Sequence, residues 1–342
     1  MNQNLAKEIC EKALEFGYNK CGIISVKDIN GFEDELNRRE EKFPESKEEL
    51  EVLRHYAHPE EEFPWAKSII ICAYSLGKFN IPKHLEGKIA KSYLVDSRHK
   101  FDSEQYLAHE KLQEYLEKQG IRALTGTDHD LTTMRWTATK AGIGIIRKNN
   151  FFYTEDGSYI SLESWLIDKD LEYKLKSDLK PCPDKCTRCI DLCPTNSLTE
   201  DYSTNKMRCV SWITCRHENN FTDEPLREDL GEWIYGCDVC QDACPFNKGK
   251  WIEGTDFPDL KEFGEKVSLT KIVNMSYEDL KVIIQSKLWY IPADDGLWKF
   301  KVNALNSMLN NWKNEYKDVV DKATADSNEH VREMAEFVKS QI

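Results

Sequence analysis

Residues 182–194 read CPDKCTRCIDLCP and residues 237–245 read CDVCQDACP, with Cys209 and, six residues on, Cys215 between them. Eight of the twelve cysteines of the 342-residue chain thus fall in the order C-x3-C-x2-C-x3-C-P, then C, then C-x2-C-x3-C-P. Eight thiolates suffice for two four-iron clusters, and in the bacterial two-cluster pattern the cysteine before proline ligates the other cluster. Applied here, Cys182, Cys186, Cys189 and Cys244 form one ligand set, and Cys193, Cys209, Cys237 and Cys240 form the second. Pro194 and Pro245 stop any helix at the two crossing cysteines, because proline cannot continue the hydrogen-bond ladder. C-x2-C pairs also build tetrahedral zinc sites, which is the competing interpretation, but two interlocked runs ending in Cys-Pro favour iron and sulfide. The x3 gap between Cys182 and Cys186, where the usual run has x2, leaves that loop's conformation open. Cys10, Cys21, Cys72 and Cys215 lie in apolar or strand-like contexts and read as core residues.

Outside this stretch the chain is long enough for a main domain with one or two appendages. Its first residues, MNQNLAKEICEKALEFG, mix charged and apolar residues at helical spacing and lack the continuous apolar centre of an export signal. A cytoplasmic protein is therefore expected, in which clustered thiols stay reduced and are ligands sooner than disulfides. The longest apolar run, SIIICAY at 68–74, is too short to span a bilayer and suits a buried strand, so no membrane contact is expected. With 47 Lys and Arg against 60 Asp and Glu the net charge is −13, which works against broad binding to phosphate backbones.

Upstream of the cysteines, strands and helices alternate. A helix over 5–16 closed by Gly17 precedes a strand at 20–26, and a charged helix and loop at 33–62 lead to the strand at 68–75. A helix over 103–119 ending at Gly120, a short strand at 121–124, a helix over 132–140 and a strand at 159–167 complete this part. The pattern predicts an α/β or α+β fold with a mixed sheet. Downstream of Asn247 the periodicity is helical, at 277–285, 297–310, 319–325 and 330–342, and ALNSML and VREMAEFV look like paired helices of a HEAT-type repeat. The expected organisation is an α/β domain over 1–178, a ferredoxin-like double-cluster module over 179–250 and a HEAT-like helical region over 251–342. Asp128 and Asp130 precede the helix near Thr132 and are natural caps for it. Gly142 and Gly144 are not a dinucleotide motif, since no third glycine follows and no strand precedes.

The segments KAGIGIIRKNNFF (140–152), GSYISLESWLID (157–168), CTRCIDLCPTNSL (186–198), RCVSWIT (208–214) and GEWIYGCDVCQDACPFN (231–247) closely resemble the epoxyqueuosine reductase family, in that order and at similar spacing. HPEEEFPWAKSIIICAYSL (58–76) is similar to the same family's first domain. The resemblance implies cobalamin in the α/β domain beside two 4Fe-4S clusters, and reduction of epoxyqueuosine to queuosine on tRNA, in an architecture shared with reductive dehalogenases. It further implies an external low-potential electron donor, with a monomer expected. The chain has no D-x-H-x-x-G sequence, so a histidine replacing the corrinoid's lower base is not expected. The resemblance puts the family's proton donor at Asp128, with Asp130 as the competing choice and helix capping as the plainer role of either. It also implies that Gly142 and Gly144 permit close approach to the flat cofactor, and that Lys148 meets its phosphate or amide groups. The family's leucine-glutamate-arginine-proline string is Thr133-Met134-Arg135-Trp136 here, with only the arginine kept. Two other functions remain open on sequence: a dehalogenase-like corrinoid reductase of a small molecule, and a ferredoxin-like electron carrier.

Overall fold

The computed structural model describes residues 2–126, 131–200 and 202–342. Helix α1 (Asn2–Phe16) buries Ala6, Ile9, Cys10 and Ala13, the i, i+3, i+4, i+7 stripe of an amphipathic helix. Gly17 ends it with φ +124°, a conformation that costs glycine little. Strand β1 (Lys20–Ser25) follows, then helices α2 (Phe32–Lys42) and α3 (Lys47–His55), then strand β2 (Ser68–Ser75). Helix α4 (Glu104–Lys118) starts at Ser103, whose hydroxyl accepts from the Tyr106 amide at 3.2 Å. Strand β3 (Ala123–Thr125), helix α5 (Met134–Lys140) and strand β4 (Ile160–Ile167) complete this half of the chain.

The four strands form one sheet in the order β1-β2-β4-β3. Every pairing in it is antiparallel, with Cys21 opposite Cys72 and Cys72 opposite Glu163. The mixed sheet expected from alternating strands and helices is therefore corrected. A single crossover helix would deliver a parallel neighbour. Between β1 and β2 the chain instead makes two helices, α2 and α3, which pack on each other and return it to the end it left.

Alternate residues of β2 face different cores. Ile70, Cys72 and Tyr74 pack with α1, α4 and Trp165, whereas Ile69, Ile71 and Ala73 pack with Leu36 of α2 and Ala138 of α5. Both faces are covered, which explains the unbroken apolar run of β2 in an antiparallel sheet.

After the cysteine segment the chain is mainly helical: α6 (Val210–Arg216) lies within that segment, and α7 (Leu269–Asn274), α8 (Trp298–Asn310), α9 (Lys317–Ala323) and α10 (Glu329–Gln341) follow it. Residues 277–285 are helical as expected, but the last six are π-wound. Helix α8 is buried from Trp298 to Met308, packed against α7 and α10. Its polar residues tie it to the segment between the cysteines: the Asn303 amide donates to the carbonyls of Thr214 and Ile234, both at 2.8 Å, and the Ser307 hydroxyl to that of Glu232. Lys301 meets Asp326 at 2.8 Å with both side chains nearly sealed from solvent. No helix among the described residues is long and apolar enough to cross a membrane.

Candidate functional site

The eight cysteines separate into two groups, each lining its own cavity. Cys182, Cys186, Cys189 and Cys244 line a small one with Arg147, Lys148 and Phe246. Cys193, Cys209, Cys237 and Cys240 form one side of a cavity of about 650 Å³. These are the two quartets that the crossing pattern of the sequence implies. The geometry that produces them is local. Cys189 sits in a single helical turn, Arg188–Asp191, preceded by Thr187, whose hydroxyl donates to the Asp191 carboxylate at 2.7 Å, and Cys193 emerges from the turn that ends it. On the second run Cys240 lies in the turn Val239–Asp242, and the Cys244 amide bonds the Gln241 carbonyl at 3.1 Å, so that Cys244 departs toward the first quartet.

The first quartet is accompanied by buried cations. Arg147 is 2% exposed, stacks its guanidinium on Phe246 at 3.4 Å and brings Nη1 to 4.0 Å from the Cys182 sulfur, while its Nε has no partner among the described residues. Lys148 is 4% exposed and donates to the Asp184 carbonyl at 2.8 Å. Burial of such charges is costly unless an anion compensates. Four thiolates around a cluster supply that anion, so the unsatisfied Nε and the donor set both fit an iron–sulfur group. As a free thiol Cys189 resists ionisation: burial, then the neighbouring Cys244, Cys182 and Cys186, push it up to about 11. A coordinated metal removes such a proton outright.

The second quartet has amide donors in place of cations, with the Ser197 backbone N–H at 3.2 Å from the Cys193 sulfur. Burial first, then Cys237, Cys209, Cys193 and Cys189, raises the Cys240 thiol well above its ordinary value. Asn149 lines both cavities, so the two quartets adjoin.

Across the larger cavity stand residues from several elements: Gln105, Tyr106 and His109 of α4, Ser161 and Glu163 of β4, and Arg135 of α5. Glu163 accepts from the Tyr18 hydroxyl, from the Gln105 amide and from His109 Nδ1, the last at 3.1 Å. Arg39, Arg98 and Lys206 also line the cavity, and Arg98 and Lys206 pair with Asp96 at 2.6 Å and Glu49 at 3.0 Å.

The other residues singled out in the sequence stand as follows. Asp128 and Asp130 lie outside the described residues, but Gly126 and Leu131 on either side line the larger cavity. Gly142 and Gly144 line neither cavity. A Cβ on Gly142 would come within 1.9 Å of the Leu175 carbonyl oxygen, and one on Gly144 within 2.2 Å of that of Tyr153. Their missing side chains thus serve contact between chain segments. Lys148 faces the first quartet and not the larger cavity. Cys10, Cys21, Cys72 and Cys215 are buried, as read from sequence. Sequence reasoning passed over Arg147 as a partner of the cysteines, and over Glu163, Gln105 and His109. A signal was present for Glu163, the one charged residue in the strand YISLESWLI.

Residues 182–247, which hold all eight cysteines, match the 4Fe-4S double cluster binding domain. That match favours clusters over zinc. Among curated relatives, the epoxyqueuosine reductase of Prochlorococcus marinus (strain NATL2A) is 36% identical over 145 residues, 42% of this chain and 46% of that protein. The epoxyqueuosine reductase of Lactococcus garvieae (strain Lg2) is 30% identical over 261 residues, 72% of this chain and 71% of that one. The chain spans between 46% and 64% of the length of the first curated relatives it matches. Among solved structures, an epoxyqueuosine reductase crystallised with an epoxyqueuosine-modified tRNA-Tyr stem loop superposes with a TM-score of 0.82 at 23% identity, over 99% of this chain and 90% of that one.

Proposed function

The chain belongs to the epoxyqueuosine reductase family, and on that premise we propose that it is an iron–sulfur, cobalamin-dependent oxidoreductase that reduces epoxyqueuosine to queuosine in tRNA. The carrying observation is the adjacency of two cysteine quartets, the second opening onto a cavity of about 650 Å³ that faces acid–base side chains. A closed pair of clusters would suit a simple carrier, whereas a cavity within the ~300–1,000 Å³ range of cofactor and ligand sites suits an enzyme.

Cys182, Cys186, Cys189 and Cys244 would hold one cluster, and Cys193, Cys209, Cys237 and Cys240 the other. Cobalamin would occupy the larger cavity. The fit is chemical, since Asn149, Ser161 and Ser211 in its lining complement the amide groups that fringe a corrinoid, and Arg135 complements its phosphate. When bound, the clusters supply single electrons from an external low-potential donor and the corrinoid supplies the reducing centre. The chain's own residues do the rest. Arg147 and Lys148 offset the charge of the first cluster, and the Ser197 amide steadies the Cys193 thiolate. Asp128, with Asp130 as its competitor, would supply a proton to the opened epoxide, in keeping with the cavity lining at Gly126 and Leu131. Arg39, Arg135 and Lys206 line the cavity, Arg39 and Lys206 held by Glu35 and Glu49, and a tRNA phosphate would be met there. The division into 1–178, 179–250 and 251–342, a HEAT-like character for the last part, a monomeric state and a cytoplasmic location complete the proposal.

The test is anaerobic reconstitution with iron, sulfide and cobalamin, followed by turnover of a tRNA stem loop bearing epoxyqueuosine. Conversion to queuosine is expected. Bound cobalamin and two clusters without conversion would discard the tRNA substrate, and failure to bind cobalamin would discard the corrinoid enzyme altogether. Asp128→Asn should keep both cofactors and lose about a hundredfold or more in rate, whereas a fully active variant would remove Asp128 from the role.

A further inference from the structure

The larger cavity contains a second acid–base constellation on the side away from the cysteines. Glu163 projects from the middle of β4, an interior strand of the sheet, and is partly buried. All its neighbours donate to it: the Tyr18 hydroxyl, the Gln105 amide and His109 Nδ1 at 3.1 Å. A carboxylate that receives three donors is acceptor-only, so the proton of this contact belongs to His109 Nδ1. The tautomer is thereby fixed, and Nε2 is left as the nitrogen available to a ligand, since it makes no hydrogen bond among the described residues. The ring itself is held by Trp165, 4.9 Å away and tilted, and by Tyr106, stacked at 6.2 Å. Both side chains of the pair are 15% exposed, and both line the cavity. Beside them Gln105, 3% exposed, has its carbonyl oxygen buried without a partner, although its amide bonds Ser161 at 2.8 Å and Glu163.

The stoichiometry of the proposed reaction gives this pair a task. Converting an epoxide to an alkene breaks both C–O bonds, forms one C=C bond and releases the oxygen as water. It consumes two electrons, which a low-potential one-electron reductant supplies in two steps, and two protons. Asp128 accounts for one proton only.

We propose that His109 delivers the second proton, from Nε2 to the departing oxygen, and that Glu163 is the positioning residue that holds the ring with Nδ1–H inward. After transfer the imidazole is neutral in the tautomer Glu163 already favours, and solvent restores the proton at Nε2. This assignment rests on the epoxide reduction proposed above and adds a residue to it.

The experiment compares wild type, His109→Asn and Glu163→Gln, each anaerobically reconstituted, in single turnovers of an epoxyqueuosine stem loop with excess dithionite. His109→Asn should lower the rate by about a hundredfold or more, and Glu163→Gln by about tenfold, with stem-loop affinity within about twofold of wild type. Imidazole nitrogen shifts of His109 provide a readout that needs no turnover: wild type should show the Nδ1–H form in the neutral state, and Glu163→Gln should lose that fixed preference. A wild type that fails to convert the stem loop removes the reaction, and this role with it. A wild type that converts it beside an equally fast His109→Asn overturns the role alone. The role is likewise overturned if the loss appears only as weaker stem-loop binding, or if Glu163→Gln changes neither rate nor tautomer. Should His109→Asn fail to retain its iron, Glu163→Gln decides by the same rate and tautomer measurements.

Discussion

The two cysteine quartets have the same ligand chemistry and opposite company. The first lies against Arg147 and Lys148, both buried, in a pocket too tight for anything beyond the ligands and their cluster. The second has no adjacent buried cation among the described residues, takes an amide donor from Ser197 and opens onto the large cavity that His109 and Glu163 face. Reduction adds negative charge to a cluster, so neighbouring cations favour the reduced state, and burial and hydrogen bonds tune it further. Under the proposed function, the first site would receive and hold an electron and the second would pass it on toward the cavity. The sharpest way to break the contrast is to remove a ligand on one side only. Cys240→Ser should lose one cluster, about half the iron and sulfide, and abolish turnover, while the first cluster remains reducible by dithionite. Iron analysis with low-temperature electron paramagnetic resonance checks this. Loss of both clusters together would show that the quartets fold as one unit.

The next largest effect concerns charge. Arg147→Met keeps the apolar contact with Phe246 and deletes a cation whose Nη1 lies 4.0 Å from Cys182. A unit charge at that range in an effective dielectric near 20 is worth at most about 4 kcal/mol. Removing it disfavours the reduced cluster, so the potential of the first cluster should move to a more negative value, while that of the second changes much less. An anaerobic potentiometric titration separates the two. Equal shifts in both clusters, or none in the first, would contradict the assignment of Arg147 to one site.

The quartets themselves were legible in sequence because spacing and the Cys-Pro steps are covalent facts that leave few ways to wrap a cube. The sheet was legible as strands but not as a topology. The run SIIICAY reads as a strand buried on both faces, and such strands are most often parallel. Here α1 and α4 cover one face and α2 and α5 the other, and the two-helix return between β1 and β2 makes the neighbours antiparallel. Chain reversal of that kind depends on how helices pack, which no local pattern in residues 33–62 encodes. Gly142 and Gly144 were legible as backbone necessities, but not for whose approach, since Leu175 and the Tyr153 carbonyl are distant or unremarkable in sequence. Glu163 and His109 are 54 residues apart and meet only because α4 lies across β4.

A third difference is mechanical. The second quartet depends on the helical part of the chain, because Cys209 and Cys237 flank the segment that Asn303 of α8 ties down through the Thr214 and Ile234 carbonyls. The first quartet has no such tether to α8 in its cavity lining. Asn303→Leu leaves two buried carbonyls without their donor, at a cost of about 3 kcal/mol. The variant should melt lower and release iron from the second site before the first. Preferential loss from the first site would reverse the dependence argued here.

The smallest effect is a pH dependence on the same side. His217 follows α6 and donates Nδ1–H to the Asn219 carbonyl at 2.7 Å, packed on Phe221 at 4.1 Å and edge-on to Trp298. Burial, reinforced by the nearby Lys299 and His330 charges, lowers its pKa to about 3. In the unfolded chain an ordinary histidine takes up its proton near pH ~6.5. Above that value neither state is charged and the residue contributes no proton-linked term. As pH falls the unfolded state binds a proton that the folded state refuses, so stability drops progressively until about pH 3, and by about pH 5 the loss is roughly 2 kcal/mol. His217→Phe preserves the stacking and removes the titration, at the expense of one hydrogen bond worth about 1 kcal/mol at neutral pH. The variant should therefore start less stable and lose less on acidification. Urea midpoints of the reconstituted protein at about pH 7 and about pH 5, followed by tryptophan fluorescence, test the slope. Equal slopes in wild type and variant would mean that acid sensitivity resides elsewhere, and that α6 adds no pH-dependent weakness to the side of the second quartet.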